Sequence, residues 1–101
     1  NSLVFGAYNE SDEQIGFARV VTDKATFAYL GDVFVVESYR GKGVSKLLMA
    51  AVSSHSELQG LRRFMLATSD AHGLYEQFGF QAVENPEILM QIWQPTIYEL
   101  A

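Results

Sequence analysis

Residues 39–48 read YRGKGVSKLL, with two glycines and two lysines directly in front of an apolar helical pattern. A helix start offers free backbone N–H groups and about half a positive charge. Glycines just before it let the chain approach a phosphate without a Cβ in the way. The stretch therefore has two readings: a loop that cradles a phosphate, or a tight surface turn with solvated cations. It is not a Walker loop, because the GxxxxGK[ST] spacing is absent. Nor is it a dinucleotide fingerprint, since the third glycine is missing and no full Rossmann repeat follows. The ten residues alone leave both readings open, and the context on either side has to decide.

Upstream, residues 26–36, TFAYLGDVFVV, are rich in aromatic and β-branched side chains and predict a central strand buried on both faces. Before it, residues 3–8 and 15–22 read as two strands joined by the polar turn NESDEQ, with DKA as the next turn. Downstream, Leu47, Leu48, Ala51 and Val52 recur at helical spacing and predict a helix from 44 to about 55. Gly60 follows its end. Residues 63–68 form the next strand, and Asp70 is placed to cap a short helix over 71–78 that Gly79 stops. Residues 80–83 and 88–93 then read as two closing strands around the turn ENPE. The predicted order is β-β-β-α-β-α-β-β: a mixed, mostly antiparallel α/β sheet with a strand–helix–strand unit at its centre.

The 101 residues form a single domain, 1–101, of which roughly 60–65% of the unfolded surface can be buried. Seven Lys and Arg stand against twelve Asp and Glu, a net charge of −5. That balance argues against a nucleic-acid partner, which needs clustered cations, and is compatible with a cationic amine. The absence of cysteine excludes disulfides, thiolate metal sites and cysteine nucleophiles. No apolar run approaches the roughly 18–20 residues that span a bilayer. The expectation is a soluble, cytoplasmic protein with no membrane partner.

Two motifs together carry a resemblance. Arg40-Gly41-Lys42-Gly43-Val44-Ser45 is similar to the acetyl-CoA loop of the GNAT N-acetyltransferase superfamily, Arg/Gln-x-x-Gly-x-Gly/Ala, with Ser45 at the final small position. TSDAHGLYEQFGF, residues 68–80, resembles the family's second signature: Ala71, Tyr75, Gly79 and Phe80 fall in register, and Thr68 stands where Asn is common. The resemblance covers essentially the whole chain and implies acetyl-CoA as co-substrate, with no metal.

It also implies roles. In the family the fourth and fifth strands splay apart and the pantetheine arm lies between them. Val33, Phe34 and Val35 would offer backbone groups to it like an added strand. Arg40, Gly41, Lys42, Gly43, Val44 and Ser45 would receive the pyrophosphate, with Thr68 and Ala71 completing the cofactor site. Tyr75 matches the family's general acid, because a phenol of pKa about 10 is protonated at neutral pH and can donate to a departing thiolate. Without the motif, Tyr75 reads as a core aromatic beside Leu74 and Phe78. Asp32, a carboxylate inside an apolar strand, is either a catalytic base strengthened by burial or a structural acceptor. Glu37 at the strand exit is the other candidate base, and ordered water can replace both.

His55 and His72 share no metal-ligand spacing. Trp93 and Phe80 read as core. The family's first strand and two helices have no counterpart here, so the resemblance implies a chain entered partway through. The implied activity is transfer of an acetyl group to a primary amine of a small molecule or peptide by direct attack in a ternary complex. The alternative is a non-catalytic acyl-CoA-binding or regulatory domain of the same fold. The aromatic tail IWQPTIYEL, residues 92–100, is a candidate homodimer contact.

Overall fold

Alternation of inward and outward side chains builds the first half of the molecule. A computed structural model describes residues 1–96. Strands β1 (Ser2–Tyr8), β2 (Gln14–Thr22) and β3 (Phe27–Val35) form an antiparallel meander. Helix α1 (Val44–Ser54) then crosses to β4 (Arg63–Leu66), which pairs with β3 in parallel. Strand order is β1-β2-β3-β4, and the short helix α2 (His72–Glu76) follows. The expected mixed, mostly antiparallel sheet and its strand–helix–strand unit are present.

One face of that sheet holds the core. Ile15, Ala18 and Val20 of β2 and Ala28 and Leu30 of β3 pack against Val44, Leu48, Met49 and Val52 of α1. Burying a side chain such as Leu48 or Met49 contributes about 1.5–3 kcal/mol relative to leaving it exposed. The buried stripe of α1 is rotated from the predicted one, for Leu47 is 67% exposed and Ala51 is exposed as well. At about 100° per residue, Val44, Leu48, Met49 and Val52 share the inward face, and Leu47 falls on the outer side.

The opposite face is open among the described residues. Phe27, Tyr29 and Phe34 are exposed, together with Val4, Tyr8 and Val21. The central strand is thus buried on one face, not on both as its composition suggested. Its aromatics satisfy a β preference that reflects packing surface more than depth.

The two closing strands are not formed. Residues 80–96 contain a 3-10 turn at Pro86–Ile88, in which Ile88 and Leu89 donate to Asn85 and Pro86 carbonyls, and no strand. Met90 and Ile92 are at least 90% exposed, and Trp93, expected in the core, is 71% exposed. Two local facts oppose pairing here: β4 is only four residues long, and Pro86 sets a turn inside the segment. Phe80 packs against the core as expected. Of the tail 92–100, residues 97–100 lie outside the described residues. Among the described residues no helix is long and apolar enough to cross a membrane.

Asp23 closes the β2–β3 turn. Its carboxylate accepts from the Thr26 hydroxyl at 2.6 Å and from the N–H groups of Thr26, Ala25 and Phe27 at 2.8, 2.9 and 3.1 Å. These bonds, that of the Thr26 hydroxyl first, hold it well below the usual carboxylate range. A depressed carboxylate stabilises the fold above its unfolded pKa of about 4, and the contribution fades as pH falls towards the folded value. Asp23→Ala should lower the denaturant midpoint at neutral pH, and the gap to wild type should narrow below about pH 4. A gap of constant size down to about pH 2 would show that the turn does not depend on the ionised carboxylate.

Candidate functional site

The site begins where the pairing of β3 with β4 stops. Parallel pairing runs from Phe27 opposite Arg63 to Leu30 opposite Leu66. Beyond it, residues 31–35 of β3 continue with β2 on one side only. The β2–β3 register shifts at the same level: Gly31 faces Arg19 and Phe34 faces Phe17, so Asp32 and Val33 share one partner position. Asp32 takes up the extra residue with a left-handed φ of 50°. Such a bulge bends and twists its strand, and here it turns β3 away from β4.

The gap is a cleft of about 700 Å³. One bank is residues 31–35 with Arg40 and Ser45; the other carries Thr68, Asp70, Ala71, Leu74 and Tyr75. A second hollow of about 380 Å³ lies at the start of α1, over Tyr39, Gly41, Gly43 and Lys46. Val35, Arg40, Ser45 and Leu74 line both, so the two form one path from the β3 edge to the helix start.

The loop leading into α1 is firmly held. A 3-10 turn, Glu37–Tyr39, follows β3, with the Tyr39 N–H donating to the Val36 carbonyl at 2.8 Å. Arg40 Nε donates to the Val35 carbonyl at 3.1 Å, and Asn9 Nδ2 donates to the Tyr39 hydroxyl at 3.1 Å. Lys42 Nζ lies 5.3 Å from the centre of the Tyr39 ring, a cation–π contact. Gly41 and Gly43 have φ of 79° and 82°, a region costly for any residue with a Cβ. Gly43 is the N-cap and no side chain caps the helix. The first helical bond runs from the Leu47 N–H to the Gly43 carbonyl, which leaves the N–H groups of Val44, Ser45 and Lys46 without helical partners.

The helix start sits unusually close to the sheet. A Cβ on Gly16 would lie 2.9 Å from Val44 Cγ1 and 3.2 Å from Leu48 Cδ1. Gly16 thus admits α1 to β2, a role that sequence reasoning missed. An isolated glycine inside a strand pattern was the available signal. Leu74, which lines both hollows, was also missed as a site residue; it stands one helical turn after Ala71.

On the far bank, Asp70 does not cap α2 as predicted. Ala71 is the N-cap residue, and the Thr68 hydroxyl accepts its N–H at 3.1 Å. The helix is shorter than the predicted 71–78, because residues 77–79 continue it as tighter turns. Tyr75 is half-buried and meets Phe80 edge-on at 6.0 Å, which in turn meets Phe64 of β4 at 5.3 Å. The phenol therefore lines the cleft and packs on the core at once. Burial, and next the charge of Asp70, push its pKa above 10.

Asp32 is corrected most. It is exposed rather than buried, and its Oδ2 accepts from Arg19 Nη1 at 3.2 Å with the carboxylate 65% exposed. The burial on which its role as a base was argued is absent. Glu37 is exposed, as is His72. His55 Nδ1 accepts the Glu57 N–H at 3.1 Å, and no cluster of three metal-ligating side chains occurs among the described residues.

Residues 1–82 match the family profile described as the Acetyltransferase (GNAT) domain. This chain belongs to the GNAT acetyltransferase family. The GNAT fold is likewise found in a crystal structure from Xanthomonas campestris pv. campestris assigned to that family: 57% identity and a TM-score of 0.89, over 96% of this chain and 68% of that one. A Gibberella zeae protein assigned as an acetyltransferase is 38% identical over 65% of this chain. A Bacillus subtilis (strain 168) protein, named as an uncharacterized N-acetyltransferase, is 36% identical over 56% of it. The matched stretches span 38% and 39% of those two relatives.

The causes of the raised Tyr75 pKa are separable. Asp70→Asn removes a negative neighbour and eases ionisation, so the phenol should titrate lower than in wild type. It should still titrate above 10, since burial is the larger cause. Ultraviolet titration of phenolate, taken as the difference from Tyr75→Phe, reads this; an unchanged curve in Asp70→Asn would remove Asp70 from the account.

Proposed function

We propose that the chain binds acetyl-CoA along the cleft and transfers its acetyl group to a primary amine of a small molecule or peptide by direct attack. The observation that carries this reading is the continuity of two unsatisfied backbone surfaces. One is the edge of β3 at residues 31–35 and the other is the uncapped start of α1. An extended amide-bearing arm fits the first as an added strand, and a pyrophosphate fits the second. Val33, Phe34 and Val35 would then bind the pantetheine. The backbone from Gly41 to Ser45 would hold the phosphates, with Thr68 and Ala71 on the opposite bank.

Side chains of the loop contribute less than its backbone. Arg40 is drawn back to the Val35 carbonyl and Lys42 lies on Tyr39, so both reach outer phosphate oxygens at most.

Transfer forms a C–N bond to the acetyl carbon and breaks the C–S bond, and the departing thiolate takes a proton. A backbone N–H of β3 near Val33–Val35 would stabilise the oxyanion between the two events. Tyr75 would supply the proton to sulfur. Its hydroxyl makes no protein hydrogen bond among the described residues and is not enclosed, which leaves it able to donate into the cleft. Its raised pKa keeps it protonated across the physiological range. The attacking amine would lose its proton to water, because Asp32 is exposed and already paired with Arg19.

Tyr75→Phe should keep acetyl-CoA affinity and lose turnover by about 10²–10⁴-fold, measured as CoA thiol release with a panel of amines. Unchanged turnover would remove Tyr75 from the mechanism. Binding of acetyl-CoA to the wild-type chain without release for any amine would favour a non-catalytic acyl-CoA-binding domain. The reading also includes a homodimer, supported by the exposed Ile92 and Trp93. A monomeric mass in solution would overturn that part.

A further inference from the structure

The open face of the sheet meets the cleft at three side chains. Tyr29, Asp32 and Phe34 line the cleft, and all three are exposed on the face away from α1. We infer that these residues bind the acceptor, and that it is a cationic primary amine with an aryl or alkyl body. The inference rests on the proposed placing of acetyl-CoA along the β3 edge, and it names the substrate class of that site.

Direction of approach comes first. A nucleophile reaches a carbonyl from above or below its plane. An arm added to β3 lies in the plane of the sheet. One side of that plane is closed by the core, where Val33, Val35 and Leu66 pack with α1. The other side is open among the described residues, and an amine arriving there meets Tyr29, Asp32 and Phe34.

The chemistry waiting there is a carboxylate among aromatic rings. Arg19 takes Asp32 Oδ2, and Oδ1 has no donor among the described residues. The ion pair thus fixes the carboxylate and leaves one oxygen for a second cation. Phe34, 51% exposed, stacks on Phe17 with ring centres 5.5 Å apart at 21°. Tyr29 is 39% exposed on the other side of Asp32 along the strand. An ammonium group gains a charge-assisted hydrogen bond from Oδ1 and cation–π attraction from the rings. The rings also offer an apolar surface that a heavily hydroxylated amine would desolvate without gain. The net charge of −5 favours a cation over an anion at long range.

The test uses the full chain and separates this inference from the proposed function. Acetyl-CoA is titrated calorimetrically into wild type; absence of binding would overturn the proposed function. Onto CoA-loaded and CoA-free protein, 2-phenylethylamine, 2-phenylethanol and 3-phenylpropionate are titrated in parallel. The amine should bind at least about tenfold more tightly than the alcohol, as a hydrogen bond to a charged group predicts. Asp32→Asn should abolish that preference; Asn tolerates positive φ, so the bulge is kept. Phe34→Ala should weaken the amine by about fivefold and the alcohol by less, because only the amine loses a cation–π contact. Equal binding of amine and alcohol, a preference that survives Asp32→Asn, or tightest binding of the carboxylate would each overturn the inference even if acetyl-CoA binds.

Discussion

The bulge at Asp32 is the constraint on which the rest of the site depends. Without the extra residue, β3 would run straight beside β4 and the pairing begun at Phe27 and Arg63 could continue. With it, pairing ends at Leu30 and Leu66, and five residues of β3 keep a free edge inside the molecule. A free edge is ordinarily a hazard, because it can recruit a strand from another chain. Here it lies within a cleft and leads directly to the start of α1. The positive φ at Asp32 and its pairing with Arg19 belong to one local arrangement on the bank of the cleft.

A second contact sets where that cleft ends. Gly16 lets Val44 and Leu48 press against β2, and the Ile15 carbonyl accepts the Val36 N–H at 2.8 Å. The exit of β3 and the entry of α1 are therefore both tied to the same short piece of β2. The loop between them needs left-handed turns to make the connection, and Gly41 and Gly43 supply them. Free N–H groups at the helix start follow from this path: the chain arrives with a glycine at the N-cap, where no side chain can cover them.

The strand–helix–strand unit and the loop were legible because local rules determine them. Glycine spacing, the apolar strand before it and the helical period after it agree with one another, and the structure forms a strand, a loop and a helix where they place them. The misreadings have a common physical origin in neighbours that a linear pattern cannot show. Leu47 satisfies the helical period as well as Met49 does, and only the placement of the sheet decides which is buried. Residues 88–93 have the composition of a strand, but a strand needs an edge, and β4 offers four residues beside a proline turn. Asp32 was placed in an apolar strand, yet the bulge turns it outward to Arg19. The motif at 68–80 identified Ala71 and Tyr75 as cleft residues; it was silent on Leu74, whose place follows from the helix alone.

Charge along the path completes the picture. At the loop end stand Arg40, Lys42 and Lys46 and the positive end of α1, opposed by Glu37. At the other end, Asp32 on one bank and Asp70 on the other face the same cleft. Solvent ions screen exposed charges over about 8–10 Å, so each end acts mainly on what lies beside it. An elongated ligand with an anionic head and a neutral reactive end is favoured in one direction only. The acidic end is also where the Tyr75 phenol is kept protonated, by burial first and by the charge of Asp70 next. An ammonium acceptor of the kind proposed would be drawn by the same charge and would be harder to deprotonate beside it. Such a cleft would trade the readiness of a bound ammonium to give up its proton for capture of the cation and supply of the acid.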